Sequence, residues 1–109
     1  MTNSRQKGAR AERELAKILR EHGYEDARRG QQFSGIEGED VVGLPMVHIE
    51  AKHVERLNLR DAMAQSERDA KEDQIPVVMH KKNRKPWLVT LNLEDFMRMY
   101  KYWLKEWEE

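Results

Sequence analysis

The chain has 109 residues, of which 39% are hydrophobic and 37% are charged. An average soluble domain is about 45–50% apolar and about 25% charged, so one compact domain over residues 1–109 fits, and a large internal ligand cavity is excluded. The absence of cysteine excludes disulfides, thiolate metal sites and a cysteine nucleophile, and it favours a reducing compartment. No apolar run approaches the roughly 18 residues of a membrane span, and no signal peptide is evident. We therefore expect a soluble, cytoplasmic protein.

Charge is balanced over the whole chain but unevenly placed along it. The 20 basic and 20 acidic residues sum to zero. Basic residues are in excess at both ends and acidic residues in the centre. An acidic centre with basic flanks is compatible with a cation site inside a surface that binds a polyanion, and it is equally compatible with ordinary solvated charges.

The first half of the chain predicts one helix and three short strands. A serine cap, an apolar stripe at helical spacing and a glycine after the last turn predict a helix over residues 4–22. Residues 26–39 are rich in glycine and polar side chains, which predicts a short strand and then a polar loop suited to substrate contact. Two strands joined by a tight turn are predicted over residues 40–43 and 46–52.

The second half of the chain predicts a helix, a hairpin and a last helix. Asn58 is a suitable cap for a helix that runs to about residue 72. Residues 75–81 and 86–91 predict a hairpin with a basic tip, and Asn92 caps the last helix. The order α, β, β, β, α, β, β, α predicts a mixed α/β domain in which helices flank a central mixed sheet.

The last helix has an aromatic face. Phe96, Tyr100, Trp103 and Trp107 recur at spacings of 4, 3 and 4 residues, which places them on one side of a helix. Such a face is usually part of the core. The alternative is a contact between two copies of the chain, because so many rings near a chain end exceed what a small core needs.

Three polar residues carry the strongest chemical signal. Strand alternation puts Glu50 and Lys52 on one face, and a turn of three residues would place Asp40 directly opposite Glu50. Oxygen ligands in this number suit Mg²⁺ or Mn²⁺, which polarises a phosphodiester and lowers the pKa of an attacking water. Lys52 would then position that water or help to deprotonate it. The pattern indicates hydrolysis of a nucleic-acid backbone; the alternative is a Glu/Lys arrangement on a solvated sheet face.

Two further polar side chains are candidates for the same site. Glu12 borders the buried stripe of the first helix, so its carboxylate needs a partner, which a metal ion or a neighbouring arginine would supply. Gln65 lies beside the inward stripe of the second helix, where it either points into the site or marks the boundary of the core. The four histidines lack the spacing of a zinc hydrolase and are expected to be structural or surface residues. The alternative, for His48 on the face of Glu50 and for His53 after Lys52, is a metal ligand or a proton shuttle.

Two basic groups are candidates for contact with a nucleic acid. Lys7 and Arg10 begin a basic strip on the first helix, which an ordinary solvated helix face explains nearly as well. The denser group is the tip of the predicted hairpin, for which phosphate contact is the favoured interpretation. It consists of Lys81, Lys82, Arg84 and Lys85.

These motifs occur in a recognisable order. They are the segment KGARAEREL at residues 7–15, then Arg29, then Ser34 with Gly35, then Asp40 with two valines, and then Ile49-Glu50-Ala51-Lys52. In this order, and on the predicted helices and strands, residues 5–91 resemble an archaeal-type Holliday junction resolvase of the PD-(D/E)XK nuclease superfamily. The resemblance implies a restriction-endonuclease-like core and a Mg²⁺-dependent homodimer that cuts branched DNA.

The resemblance also assigns roles to individual residues. It implies Glu12, Asp40 and Glu50 as ligands of one or two divalent cations, and Lys52 as the catalytic lysine. It implies that a further set lies near the substrate backbone. That set is Lys7, Arg10, Arg29 and Ser34.

Two departures from the resolvase pattern keep alternatives open. Glu39 stands where the superfamily's name has proline, and both the chain and the segment between Asp40 and Glu50 are short for a resolvase. One alternative is a phage-type repair or replication nuclease that acts on flaps or nicked duplexes. The other is a DNA-binding module without an active metal site.

Overall fold

A computed structural model describes residues 4–30 and 40–108 of the chain. The described elements follow the predicted order. They are α1 (Ser4–Glu21), β1 (Arg28–Arg29), β2 (Val41–Val42), β3 (Val47–His53), α2 (Leu59–Asp69), β4 (Ile75–Lys81), β5 (Leu88–Thr90) and α3 (Leu93–Glu108). None of the described helices is both long enough and apolar enough to cross a bilayer.

The strands form one mixed sheet in the order β1-β2-β3-β4-β5. The neighbours β3 and β4 are parallel, and the other three neighbouring pairs are antiparallel. A parallel pair needs a long connection between its strands, and α2 supplies it. The expected mixed α/β architecture with a restriction-endonuclease-like core is confirmed, and β3 is its central strand.

The alternation of side chains in β3 divides the molecule into two layers. Ile49 and Ala51 lie on the face that α1 covers, where they pack with Leu15 and Ala16 of that helix. On the other face, Ala62 and Met63 of α2 pack against Val78 of β4. His48 and Glu50 alternate with Ile49, so they lie on the α2 side of the sheet, and both are buried. A polar face is therefore buried in the centre of the fold.

A buried serine fixes α2 to the two parallel strands. Ser66 is fully buried, and its Oγ donates to the carbonyl oxygen of Val77 at 3.0 Å, with a longer contact of 3.4 Å to the carbonyl oxygen of His48. A buried hydroxyl without such partners would destabilise the fold. Ser66 thus joins α2 to the sheet by a hydrogen bond.

The ends of two predicted elements differ from the structure by two or more residues, and the other differences are of one residue. Residue 72 was the expected end of α2, but the helix ends at Asp69 because Ala70 is extended, with φ −69° and ψ 141°, while its N–H still donates to Ser66. The last strand is shorter than residues 86–91, since only Leu88–Thr90 pair with β4.

The aromatic face of α3 is not part of the core. No residue of this helix is buried, so the interpretation of that face as core is wrong for the described residues. The physical reason is that the core forms between the sheet and the helices α1 and α2, and neither cluster of buried residues includes a side chain of α3.

The turn between β2 and β3 depends on a glycine. Gly43 has a φ of +100°, and a Cβ at this position would lie 2.4 Å from the carbonyl oxygen of Asp26. Any other residue at this position would be strained, both by the left-handed backbone conformation and by the close approach of Asp26. Gly43 thus lets the chain before β1 pack against the turn. This turn joins the two strands in which Val41 pairs with Ile49.

We expect Gly43→Ala to destabilise the protein by at least about 2 kcal/mol, because the new side chain adds backbone strain and a collision with Asp26. Gly8→Ala is the matched control: a Cβ at Gly8 meets nothing within 4 Å, and alanine in a helix is favoured over glycine by about 0.5–1 kcal/mol. Urea unfolding of both variants measures the difference. Equal stability of Gly43→Ala and the wild type would contradict this role of the turn.

Candidate active site

Asp40, directly before β2, lies opposite Glu50 of the antiparallel neighbour β3. The register pairs Val41 with Ile49, so the residue before Val41 lies opposite the residue after Ile49. The N–H of Asp40 donates to the carbonyl oxygen of Ile49 at 3.1 Å, and the N–H of Ala51 donates to Asp40 Oδ2 at 2.9 Å. The backbone of β3 therefore holds the Asp40 carboxylate beside Glu50.

Lys52 adds a positive charge to this carboxylate pair. Its Nζ lies 3.5 Å from Glu50 Oε1, with the side chain of Glu50 3% exposed and that of Lys52 35% exposed. The two residues are two positions apart in β3 and share the face on which α2 lies. The ammonium group thus lies between a buried carboxylate and the solvent, where it can contact an approaching ligand.

Burial raises the cost of ionising both carboxylates. Burial, and after it the charge of Asp40, raise the pKa of Glu50 to about 7, although the charge of Lys52 opposes the shift. Burial also raises the pKa of Asp40, against the Ala51 N–H and Lys52, which lower it. Two anionic groups in a partly buried site are stabilised by a cation placed between them. The donor set therefore fits a hard divalent ion, which prefers carboxylate oxygen.

Glu12 brings a third carboxylate to this region from α1. Arg29 Nε donates to Glu12 Oε2 at 2.7 Å, so the arginine partner considered from the sequence is present. Burial raises the pKa of Glu12, the hydrogen bond from Arg29 lowers it, and the nearby charge of Asp40 raises it. The interaction with Asp40 indicates that the Glu12 carboxylate of α1 and the Asp40 carboxylate, directly before β2, lie in the same region.

A second group of ligand-type atoms includes Glu50 and lies partly outside the predicted site. His48, Glu50 and Asp69 each offer one atom, and these atoms lie within 4.8 Å of one another. The sequence favours a structural or surface role for His48, with a metal ligand as the alternative because His48 shares the face of Glu50. Asp69 was missed because only the packing of α2 brings the end of that helix to β3.

Gln65 lies in an open groove beside the site. The groove has a volume of about 260 Å³ and is lined by Lys52, Leu57 and Gln65 among other residues. Gln65 and Lys52 therefore line the same groove. The groove provides space for a substrate next to Lys52 Nζ.

A larger groove adjoins the first at Leu57 and reaches the basic hairpin tip. Its volume is about 560 Å³, and its lining combines leucines with the basic side chains Arg56, Lys82 and Lys85. The tip is tied to the region after β3, because the Asn83 N–H donates to Glu55 Oε2 at 3.0 Å. An apolar floor with a cationic rim suits a nucleotide, whose base is flat and whose phosphate is anionic.

The remaining candidates for nucleic-acid contact have different surroundings. Lys82, Arg84 and Lys85 are exposed at the tip. Lys81 is 15% exposed and pairs with Glu14 at 3.2 Å, with its Nζ 5.8 Å from the centre of the Trp87 ring. On α1, Arg10 is exposed and Lys7 is half-buried, while Ser34 lies outside the described residues.

Comparisons with known proteins give one finding. A family model described as "Phage putative PDDEXK endonuclease" matches residues 3–108. No curated protein and no solved structure gave a significant match. The family match includes α3, whereas the resemblance to resolvases covers residues 5–91.

We expect the metal-free protein to lose stability as the pH rises from 5 to 8. The pKa of Glu50 is about 7 in the fold and 4.5 as its ordinary value, so the folded state retains a proton that the unfolded state releases. The resulting stabilisation is complete below about pH 4.5 and is lost as the pH rises through about 7. The raised pKa of Asp40 acts in the same direction.

Thermal unfolding in the presence of a chelator measures this dependence. Glu50→Gln should flatten it, because the amide does not titrate, whereas Glu72→Gln changes an exposed carboxylate and should leave it in place. An equal dependence on pH in the wild type and in Glu50→Gln would show that Glu50 is not protonated in the fold.

Proposed function

The chain belongs to the family of phage PDDEXK endonucleases, and from this premise we propose that it is a divalent-metal-dependent endodeoxyribonuclease. Its substrate in this proposal is branched or otherwise structured DNA. The observation that carries the proposal is the carboxylate pair Asp40 and Glu50 with the Lys52 ammonium 3.5 Å from Glu50. Glu12, on the neighbouring helix, completes the set.

In this proposal, Asp40 and Glu50 hold the cation together with Glu12. Mg²⁺ in proteins is normally bound by one or two carboxylates and keeps several waters or phosphate oxygens, so this donor set suits Mg²⁺ or Mn²⁺. When bound, such an ion polarises the scissile phosphodiester and lowers the pKa of the attacking water. The raised pKa of Glu50 means that the site competes with protons for the metal below about pH 7.

In this proposal the cationic side chains contact the substrate and hold the carboxylates that bind the metal. Lys52 Nζ can donate a hydrogen bond to the attacking water or to a phosphate oxygen, because a third of its side chain is exposed. Arg29 holds the Glu12 carboxylate by a charged hydrogen bond of 2.7 Å. The guanidinium also adds positive charge where a phosphate would approach.

The two adjoining grooves suggest a path for the DNA strand. The strand would pass Lys52 and Gln65, cross Leu57 and reach the basic rim of the larger groove. Phosphate contacts in this proposal come from the tip, from α1 and from β1. The residues are Lys7, Arg10, Arg29, Lys82, Arg84 and Lys85, with Ser34 as a further expectation and Lys81 supporting the tip through its pair with Glu14.

Two substrate types follow from different observations. The resemblance to resolvases favours a four-way junction, and symmetric cutting of two strands would require a homodimer. The match to a phage endonuclease family is compatible with the alternative, a phage-type repair or replication nuclease that acts on flaps or nicked duplexes in the cytoplasm. A non-catalytic DNA-binding module would not require the Glu12, Asp40, Glu50 and Lys52 set.

We expect Glu50→Gln and Lys52→Ala each to lower the rate of DNA cleavage at least about 100-fold while leaving the fold intact. The first change removes a metal ligand and the second removes the donor beside it. Because the two residues act as one unit, the double variant should lose much less than the product of the single effects. Lys71→Ala, which removes an exposed lysine after α2, is the control and should cleave normally.

Nicking of supercoiled plasmid and cleavage of matched linear, nicked, flap and four-way substrates, with Mg²⁺ or with EDTA, measure these rates. The wild type should cut only with the metal and should prefer a branched substrate over the linear one. A folded Lys52→Ala protein that cuts at the wild-type rate would refute the proposed site. Binding without cleavage by the wild type would leave the non-catalytic module.

A further inference from the structure

α3 presents an apolar face that no described part of the chain covers. Five side chains on it are large and exposed. They are Leu93 (70%), Phe96 (47%), Tyr100 (38%), Trp103 (56%) and Trp107 (74%). An exposed aromatic patch of this size on a small protein marks an interaction surface.

The spacing of these five residues specifies what kind of surface it is. Their separations are 3, 4, 3 and 4, which is the a and d pattern of a coiled coil over two heptads. Met97 and Met99 flank the seam and are 38% and 47% exposed. A 3,4 repeat is the pattern by which one helix packs along another.

The rings are already ordered against one another. Successive centroids are 6.0, 5.8 and 5.9 Å apart from Phe96 to Trp107, and the Trp103 and Trp107 planes differ by 14°. Part of the face of each ring is therefore in contact with the neighbouring ring of the same helix. This favours side-to-side packing against another helix over stacking of DNA bases, which needs free ring faces.

The charges of α3 also disfavour DNA as the partner. Asp95 pairs with Arg98 on the same helix at 2.7 Å. The described helix carries more acidic than basic side chains. They are Glu94, Asp95, Glu106 and Glu108 against Arg98, Lys101 and Lys105. A surface that tracks phosphates would instead have an excess of Lys and Arg.

The area of the seam is sufficient for association of two such helices. An aromatic side chain buries about 150–250 Å² in full, so the exposed parts of the four rings amount to roughly 400 Å² per copy. With Leu93 and the two methionines added, two copies would bury more than the roughly 1,000 Å² expected of a specific interface.

We propose that α3 is a dimerisation helix and that its heptad seam packs against the same seam of a second copy of this chain. An a/d seam is self-complementary, and two copies related by a two-fold axis bury the same residues on both sides. The family match to residues 3–108 includes this helix, so α3 belongs to the domain on which the match rests. The assembly does not depend on the proposed DNA substrate, because it can be measured without DNA.

Sedimentation of the protein without DNA tests the seam. The wild type should be dimeric at micromolar concentration, and Trp103→Glu should raise the dimer dissociation constant at least about 100-fold. Tyr102→Glu is the matched control: Tyr102 is 78% exposed but lies off the seam, so its variant should remain dimeric. Circular dichroism checks that both variants keep their helices.

Cross-linking gives a second readout that introduces no charge into the seam. The chain has no cysteine, so Trp103→Cys carries the only thiol, and a short bis-maleimide should link two copies. Lys105→Cys, on the opposite side of α3, should link far less. A wild type that stays monomeric at about 100 μM, or equal cross-linking at both positions, would overturn the proposal. Unchanged assembly of Trp103→Glu with weakened DNA binding would identify α3 as a DNA contact instead.

Discussion

The site depends on keeping two carboxylates opposite each other at the partly buried end of a β-ladder. Asp40 and Glu50 repel when both are charged, and burial raises the pKa of each. The fold compensates with the Ala51 N–H, which donates to Asp40, and with the Lys52 ammonium near Glu50. These contacts only partly offset the cost, because the pKa values stay raised. A divalent cation would supply the remaining stabilisation, and the apo site therefore favours both metal and proton binding.

The scaffold supports this arrangement through the central position of β3. One side of the strand contributes Ile49 to the core with α1, and the other side presents Glu50 to the site. A central strand has neighbours on both edges, so its backbone cannot shift without breaking two ladders. Ser66 holds α2 over the polar face. Rigidity at β3 thus comes from the same packing that buries the carboxylates.

Local patterns were sufficient to predict the order of the elements and the position of Asp40 opposite Glu50. Strand alternation and the length of the turn at Gly43 both act over a few residues. The group of His48, Glu50 and Asp69 was not predicted, because it depends on where the end of α2 lies. The core interpretation of α3 was wrong for a related reason: spacing shows that a face is apolar, whereas only the packed structure shows whether another element covers it.

The affinity for Mn²⁺ without DNA tests most directly whether the carboxylate pair is a metal site. Asp40→Asn retains an oxygen for the Ala51 N–H but removes the charge, and Asp73→Asn changes an exposed carboxylate as the control. Calorimetry near pH 7 should show binding by the wild type with release of protons, a loss of affinity of at least about 10-fold in Asp40→Asn, and no loss in Asp73→Asn. Equal Mn²⁺ affinity of the wild type and Asp40→Asn would contradict a metal site built on this pair.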